Sequence, residues 1–268
     1  VRIKWLLPLL LLTSIVLMSL FAPAISPYPP NQVNMTERLQ LPSEEHLFGT
    51  DSLGRDVWSR MLHGGRQSLV LAFLATLIAL CIGMTVGFLS GYYGGRIDFV
   101  VTSLSNIFLG IPGISIMIAF VGVLGPSVKS LLLAIVINSW VGFSRIVRGE
   151  VMTIKNEYFI EATRNMGAKD WWIFIRHILP NLSDSLIILF VSRVGTVILS
   201  VAALSYLGLG LQPPTPDWAI MISDARPYFR SYPMLVLGPG GCIILFVWSV
   251  LTLGDVMRDQ MEVGGKDA

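Results

Sequence analysis

The sequence predicts an all-α membrane protein of about six transmembrane helices, with one polar, helix-capable segment between the fourth and the fifth. Three observations carry this reading. Of 268 residues, 53% are hydrophobic and only 13% charged, and the mean hydropathy is +0.69; soluble domains carry about 25% charged residues. Six apolar stretches approach the roughly 20 residues that a helix needs to cross the hydrocarbon layer. Between two of them stands "EATRNMGAKDWWIFIRHILP", residues 161–180, whose charges and paired tryptophans interrupt an otherwise apolar chain.

The first stretch, Trp5–Ala24, follows Arg2 and Lys4 and ends at Ala22-Pro23-Ala24, which loosely resembles a signal-peptidase site. A secretory signal has an apolar region of about 7–15 residues, shorter than this run, so residues 1–25 read as a retained anchor. Residues 26–66 then form an extracytoplasmic loop that begins with "SPYPPNQ". The second stretch, Ser68–Ser90, leads into Gly91 and places Gly83, Gly87 and Gly91 on one helical face, a spacing that lets helix backbones approach closely. Pro112 and Gly113 interrupt the third, Phe99–Val123; Asn138, Ser139 and Trp140 make the fourth, Val128–Ile146, partly polar. Leu186–Leu209 and Leu235–Leu253 complete the set. Residues 67–257 thus read as a five-helix core and 258–268 as a cytoplasmic tail. A second outer connection, 210–233, contains "GLQPPTPDW". Its prolines supply rigid extended backbone, suited equally to a docking surface and to a solvated linker.

The 19 basic residues set the orientation. With the N-terminus inside, 11 fall on the inner side and 7 on the outer, and Arg193 stays within the fifth span. An excess of Lys and Arg marks the cytoplasmic side, and the local cluster from Arg145 to Arg176 decides it. Both termini are therefore expected in the cytoplasm, with residues 150–181 as a cytoplasmic segment. A net charge of +2 gives no argument for nucleic acid.

That segment reads as two short amphipathic helices. Asn156 is placed to cap the first, which would run from Glu157 to Met166 with an apolar stripe of Tyr158, Phe159, Ala162 and Met166. Gly167 stands where a glycine stops a helix. Asp170 would cap the second, and Pro180 would break it before the fifth span. Trp171 and Trp172 suit an interfacial anchor. The stripe on the first helix has no lipid to cover it, which points to another protein.

Enzymatic chemistry finds little support. The chain contains no phosphate-binding G-x-x-x-x-G-K-[ST], no H-E-x-x-H, no C-x-x-C and no G-x-S-x-G. His46, His63 and His177 lie in different segments; Cys81 and Cys242 sit singly in apolar runs and read as packing residues. No catalytic residue and no metal ligand set is assigned. Intramembrane polar residues are candidates for a pathway: Asn106, Asn138, Ser139 and Arg193, each of which a structural role explains as well. Asp184 is too far along the chain to pair with Arg193 within one helix. Every Asp and Glu falls in a loop or near a span end, whereas an ion-driven secondary transporter would bury carboxylates in its spans. An external energy source is expected. A membrane scaffold is the third class, distinguished by having no pathway.

Glu161-Ala162, Gly167 and Leu179-Pro180 resemble the EAA signature of ABC importer membrane subunits, with the spacing intact. Thr163 replaces the third small residue and His177 stands at the position of an isoleucine. "FGTDSLGRDVWSRMLHGGRQSL", "GYYGGRIDFV", "SYLGLGLQPPTPDW" and "GDVMRD" are similar to the C-type permease of the dipeptide, oligopeptide and nickel importers. The resemblance implies a type I ABC importer permease fold, a heterodimer with a homologous B-type permease, two cytoplasmic ATPase subunits and an extracytoplasmic substrate-binding protein, all serving a bacterial cytoplasmic membrane. It implies no cofactor on this chain, ATP and Mg being used by the ATPases. It places coupling to them on Tyr158, Glu161, Ala162, Met166 and Gly167. Small peptides are the expected cargo, with nickel or a nickel chelate as the alternative. His177 has no assigned role.

Overall fold

The computed structural model describes residues 5–264; Arg2 and Lys4, named above, and Lys266, a further one of the 11 inner-side basic residues, lie outside them. The helices run α1 (Leu6–Leu20), α2 (Ala22–Ile25), α3 (Val57–Tyr93), α4 (Gly95–Gly110), α5 (Gly113–Leu124), α6 (Val128–Ile154), α7 (Tyr158–Asn165), α8 (Asp170–Ile173), α9 (Leu179–Tyr206), α10 (Trp218–Ala225) and α11 (Met234–Gly264). Among the described residues there is no β-strand, only one isolated bridge between Thr50 and Asp56. Four helices among the described residues are long and apolar enough to cross a membrane, and the α4–α5 pair makes a fifth if it counts as one span. Helix α1 has 15 residues, about 23 Å of rise, shorter than the spanning length expected of it.

Three expected boundaries are corrected. The third stretch is not one straight helix: α4 and α5 meet at 90°. Ile111, forced out of the helical region by the following proline, is extended at φ −106°, and Pro112 is the N-cap residue of α5. The fifth span and the amphipathic helix before it are one helix of 37 residues, Asp170–Tyr206. Pro180 does not break it. Proline lacks a donor and crowds the carbonyl four residues back, and a π-helical turn, Phe174–Ile178, directly precedes α9. There the Leu179 N–H reaches the Phe174 carbonyl, five residues back. Finally, the outer loop ends at Asp56. Its carboxylate accepts from the Ser59 N–H at 2.7 Å and caps α3 at Val57, so residues 57–66 are helical.

The helices stack three apolar clusters along the bundle. The central one joins α3, α5, α6, α9 and α11 through residues such as Ala75, Val121, Ile135, Val201 and Phe246. A lower cluster joins the ends of α3, α6 and α9 to α7. An upper one packs the 26–56 connection onto α3, α10 and the start of α11. Helices α3 and α6 approach most closely. A Cβ at Gly83 would lie 2.6 Å from the Trp140 carbonyl oxygen, one at Gly87 2.6 Å from that of Ser144, and one at Gly91 2.8 Å from that of Arg148. Cys81 is exposed on α3, so it fills no gap in the packing.

The upper connections form a folded layer. Buried Arg60 donates to the Pro30 carbonyl at 2.9 Å and to Asn31 at 3.2 Å. Arg55 pairs with Asp51 at 2.6 Å. Trp218 Nε1 donates to the Met61 carbonyl at 2.8 Å, and its ring occupies the space that a side chain at Gly65 would need. Asp217 caps α10 and accepts from Ser68 of α3. Burial pushes its carboxyl above the ordinary carboxylate range. A solvated linker is therefore the wrong picture of this face.

Candidate functional site

At the lower end the chain leaves α6 and builds a projection from Lys155 to Asp170. Its first helix begins one residue later than expected. Glu157 is the N-cap, while the Asn156 amide donates back to the Met152 carbonyl at 3.0 Å. Its end follows the glycine rule closely. Gly167 has φ +86°; its N–H reaches the Arg164 carbonyl at 2.9 Å, and the Ala168 N–H reaches the Thr163 carbonyl at 3.3 Å. These two bonds are a Schellman motif, which satisfies the last carbonyls of α7 and turns the chain back.

The inward face of α7 is Ile160 and Thr163, both buried. Ile160 joins Ile173 and Ile178 in the lower cluster, and the Thr163 hydroxyl donates to the Phe159 carbonyl at 2.7 Å. The outward face holds Tyr158, 88% exposed, Met166, 80% exposed, and exposed Glu161, Ala162 and Gly167. Tyr158, Glu161 and Ala162 lie on one short helix rooted in the core, Met166 is its C-cap and Gly167 follows. Phe159 departs from the expected stripe: it is half turned in, with its ring 5.9 Å from that of His177.

Trp171, 61% exposed, and Trp172, 42% exposed, line a shallow open groove with Thr163, Met166 and Gly167. The groove continues the outward face of α7, so both tryptophans share a surface with the glycine turn. His177 lies in the π-helical turn, edge-on to Trp172 at 5.2 Å, and its carbonyl accepts from the Asn181 amide at 2.6 Å.

Sequence reasoning missed the residues that hold this projection. Asp170 was expected to cap α8, but Lys169 is the N-cap residue. The Asp170 carboxylate instead accepts from Tyr92 at 2.8 Å and from Tyr93 at 3.0 Å, both at the end of α3. Arg164 of α7 donates to the Tyr92 hydroxyl at 3.2 Å and stacks over its ring. Lys155 donates to the Gly91 carbonyl at 2.7 Å, a cation at a helix C-terminus. Arg148 grips Asp98 with both a near bond from Nε and a 2.7 Å bond from Nη2. Asp98 also accepts from Ser90. Helices α3, α4, α6, α7 and α8 are thereby tied at one place. The signal was present as the polar string "GYYGGRID", but its partners lie 50 to 78 residues away.

The intramembrane candidates fall into one neighbourhood and an outlier. Asn138 lies against Gly113, where a Cβ would be 2.5 Å from its Oδ1. Arg193 lies over Gly142, where a Cβ would clash with Nη2. Ser139 is buried. Asn106 is exposed on α4 and is not brought to them.

Residues 83–262 match the family described as "Binding-protein-dependent transport system inner membrane component". The chain is 41% identical over 254 residues to the dipeptide transport system permease protein DppC of Alkalihalophilus pseudofirmus, covering 95% of this chain and 84% of that one. It is 37% identical over 249 residues to the glutathione transport system permease protein GsiD of Pectobacterium atrosepticum, covering 92% and 83%. Among solved structures, an inward-facing form of the MetNI methionine ABC transporter superposes with a TM-score of 0.59 at 18% identity, over 74% of this chain and 95% of that one. An amino acid ABC transporter with histidines gives 0.57 at 16%, over 75% and 94%. The last two establish the fold, a type I importer permease. The chain belongs to the inner membrane component family of binding-protein-dependent transport systems, and is a multi-pass, non-catalytic permease subunit of an ABC importer, which works with ATPase subunits and a substrate-binding protein.

Proposed function

We propose that this chain forms one half of the translocation pathway for small peptides, paired with a homologous B-type permease, and that residues 157–170 couple it to the ATPases. The observation that carries this is the outward face of α7. Tyr158, Glu161 and Ala162, with Met166 at the C-cap, are exposed on a helix whose other face is locked into α3, α6 and α9. An exposed apolar patch on a rigid mount suits a partner groove. The charge cluster from Arg145 to Arg176 supports assigning that end to the cytoplasm, together with both termini. The folded upper layer then faces the binding protein. ATP and Mg are bound by the two ATPase subunits and not by this chain. ATP closes those subunits, the α7 projections move with them, and the π-bulged helix Asp170–Tyr206 carries the motion into the membrane. The coupling is thermodynamic only in so far as the ATPases contact the two permease states differently.

The relatives named for dipeptide and glutathione transport favour peptides as cargo. Deleting the gene for this chain is expected to abolish growth on a dipeptide as sole source of a required amino acid. Nickel accumulation should stay within about twofold of the parent. Lost nickel uptake with intact dipeptide growth would overturn the cargo assignment.

A further inference from the structure

Arg193 is a charge that the coupling scheme leaves unused. It lies 13 residues before the upper end of α9 at Tyr206, about 20 Å along the helix axis, within the apolar part of the span. Its guanidinium covers the backbone of Gly142 on α6 so closely that even a methyl group there would clash. The described ion pairs all lie elsewhere, so no carboxylate of the described residues stands within 4.0 Å of it. Cations at this depth belong against a carboxylate, a protein partner or a water-filled cavity.

The surroundings are polar on both helices. Thr196 and Ser200 follow Arg193 at intervals of three and seven, on the same face of α9; Thr196 is exposed and Ser200 half-buried. Asn138 lies one turn from Gly142 along α6, with its amide against the first residue of α5. The Thr196 hydroxyl donates to the Arg193 carbonyl at 2.9 Å and that of Ser200 to the Thr196 carbonyl at 3.0 Å, so their oxygens keep lone pairs to accept. Polar groups of two helices thus lie within about two turns along α6 and α9 of the Gly142–Arg193 contact. The planar fork of arginine matches a carboxylate in two parallel hydrogen bonds. A lysine at this depth would offer a point charge without that geometry.

Resting on the reading of this chain as a peptide permease, we propose that Arg193 is a carboxylate-binding point of the pathway, which takes the C-terminal carboxylate of a peptide in transit. Asn138 and Thr196 lie within about one helical turn along their helices of the Gly142–Arg193 contact and are placed to meet the peptide backbone.

The test uses the complete complex, both permeases, the ATPases and the binding protein, in proteoliposomes. Uptake of Ala-Ala is compared with that of its C-terminal amide, for the parent and for Arg193→Gln and Arg193→Lys. The binding protein is the same throughout, so its own preference cancels when variant and parent are compared. Arg193→Gln is expected to reduce the preference for the free acid about tenfold or more, and Arg193→Lys to retain part of it. An acid-to-amide ratio unchanged in both variants overturns the proposal. So does equal loss of both ligands, as would follow if Arg193 paired with a carboxylate of the other permease. Failure of both variants to assemble marks the residue as structural and also counts against it. If the parent complex itself takes up neither ligand with ATP, the functional reading has failed instead.

Discussion

Replacing Gly87 with leucine is expected to lower the amount of this chain recovered in assembled complex at least about tenfold. The position lies where α3 and α6 touch. A single Cβ there would meet the Ser144 carbonyl oxygen at 2.6 Å and Val147 Cβ at 2.8 Å, both nearer than atoms in contact can stay. The backbone cannot rotate away as a flexible side chain does, so the helices must separate. Separation would open the contacts at Gly83 and Gly91, which meet the same helix at similar distances. Overpacking of a tight core costs about 1–3 kcal/mol, occasionally more, and three coupled contacts belong at the upper end. Gly122→Leu on α5 is the matched control, because nothing lies within 4 Å of a Cβ there. Quantitative blotting of membrane fractions and of the purified complex reads both. Equal recovery of the two variants would contradict the α3–α6 contact.

Gly167→Arg should give the opposite phenotype: an assembled complex that hydrolyses ATP and moves almost no substrate. Among the described residues no heavy atom lies within 4 Å of a Cβ at Gly167, so the new side chain fits without displacing the fold. Its cost is the left-handed backbone at φ +86°, about 1–2 kcal/mol for a residue with a Cβ. The arginine would project into the groove shared by Met166, Trp171 and Trp172, next to the face proposed to meet the ATPase. The seat of α7 would be spoiled while its root in the lower cluster survives. Uptake per ATP hydrolysed is expected to fall about tenfold or more, since a lost buried contact of 1.4 kcal/mol already gives a factor of ten. Gly167→Asn, which tolerates this backbone region, should retain most of the uptake. Full uptake by the Gly167→Arg complex would remove Gly167 from the coupling surface.

The apolar cores of the spans were legible in the sequence because lipid imposes composition directly. Their ends were not, because caps and packing decide them. Residues 57–66 read as loop, since Arg60 and Arg66 are charged, yet the Asp56 cap and the burial of Arg60 against the Pro30 carbonyl draw them into α3. Pro180 was read as a stop because proline ordinarily is one, but the π-helical turn before it lets the helix pass. Pro112 kept its usual meaning and breaks the chain at 90°. In the α7 projection the glycine turn was legible, because a Schellman motif is written in adjacent residues. The clamp of Tyr92 and Tyr93 on Asp170 was not, because nothing local announces partners 77 and 78 residues apart. Arg193 stands between these cases. Its charge was visible in the sequence, whereas the bare backbone of Gly142 beneath it was visible only in the fold.

The proposed function is that this chain converts the ATPase cycle into peptide movement. Its most direct test is uptake of a labelled dipeptide by proteoliposomes holding the complete complex, with the binding protein outside the membrane face that it serves. Uptake is expected to require ATP on the α7 side together with the binding protein on the opposite side, and to be indifferent to an imposed proton or sodium gradient. Accumulation driven by such a gradient without ATP would contradict the account.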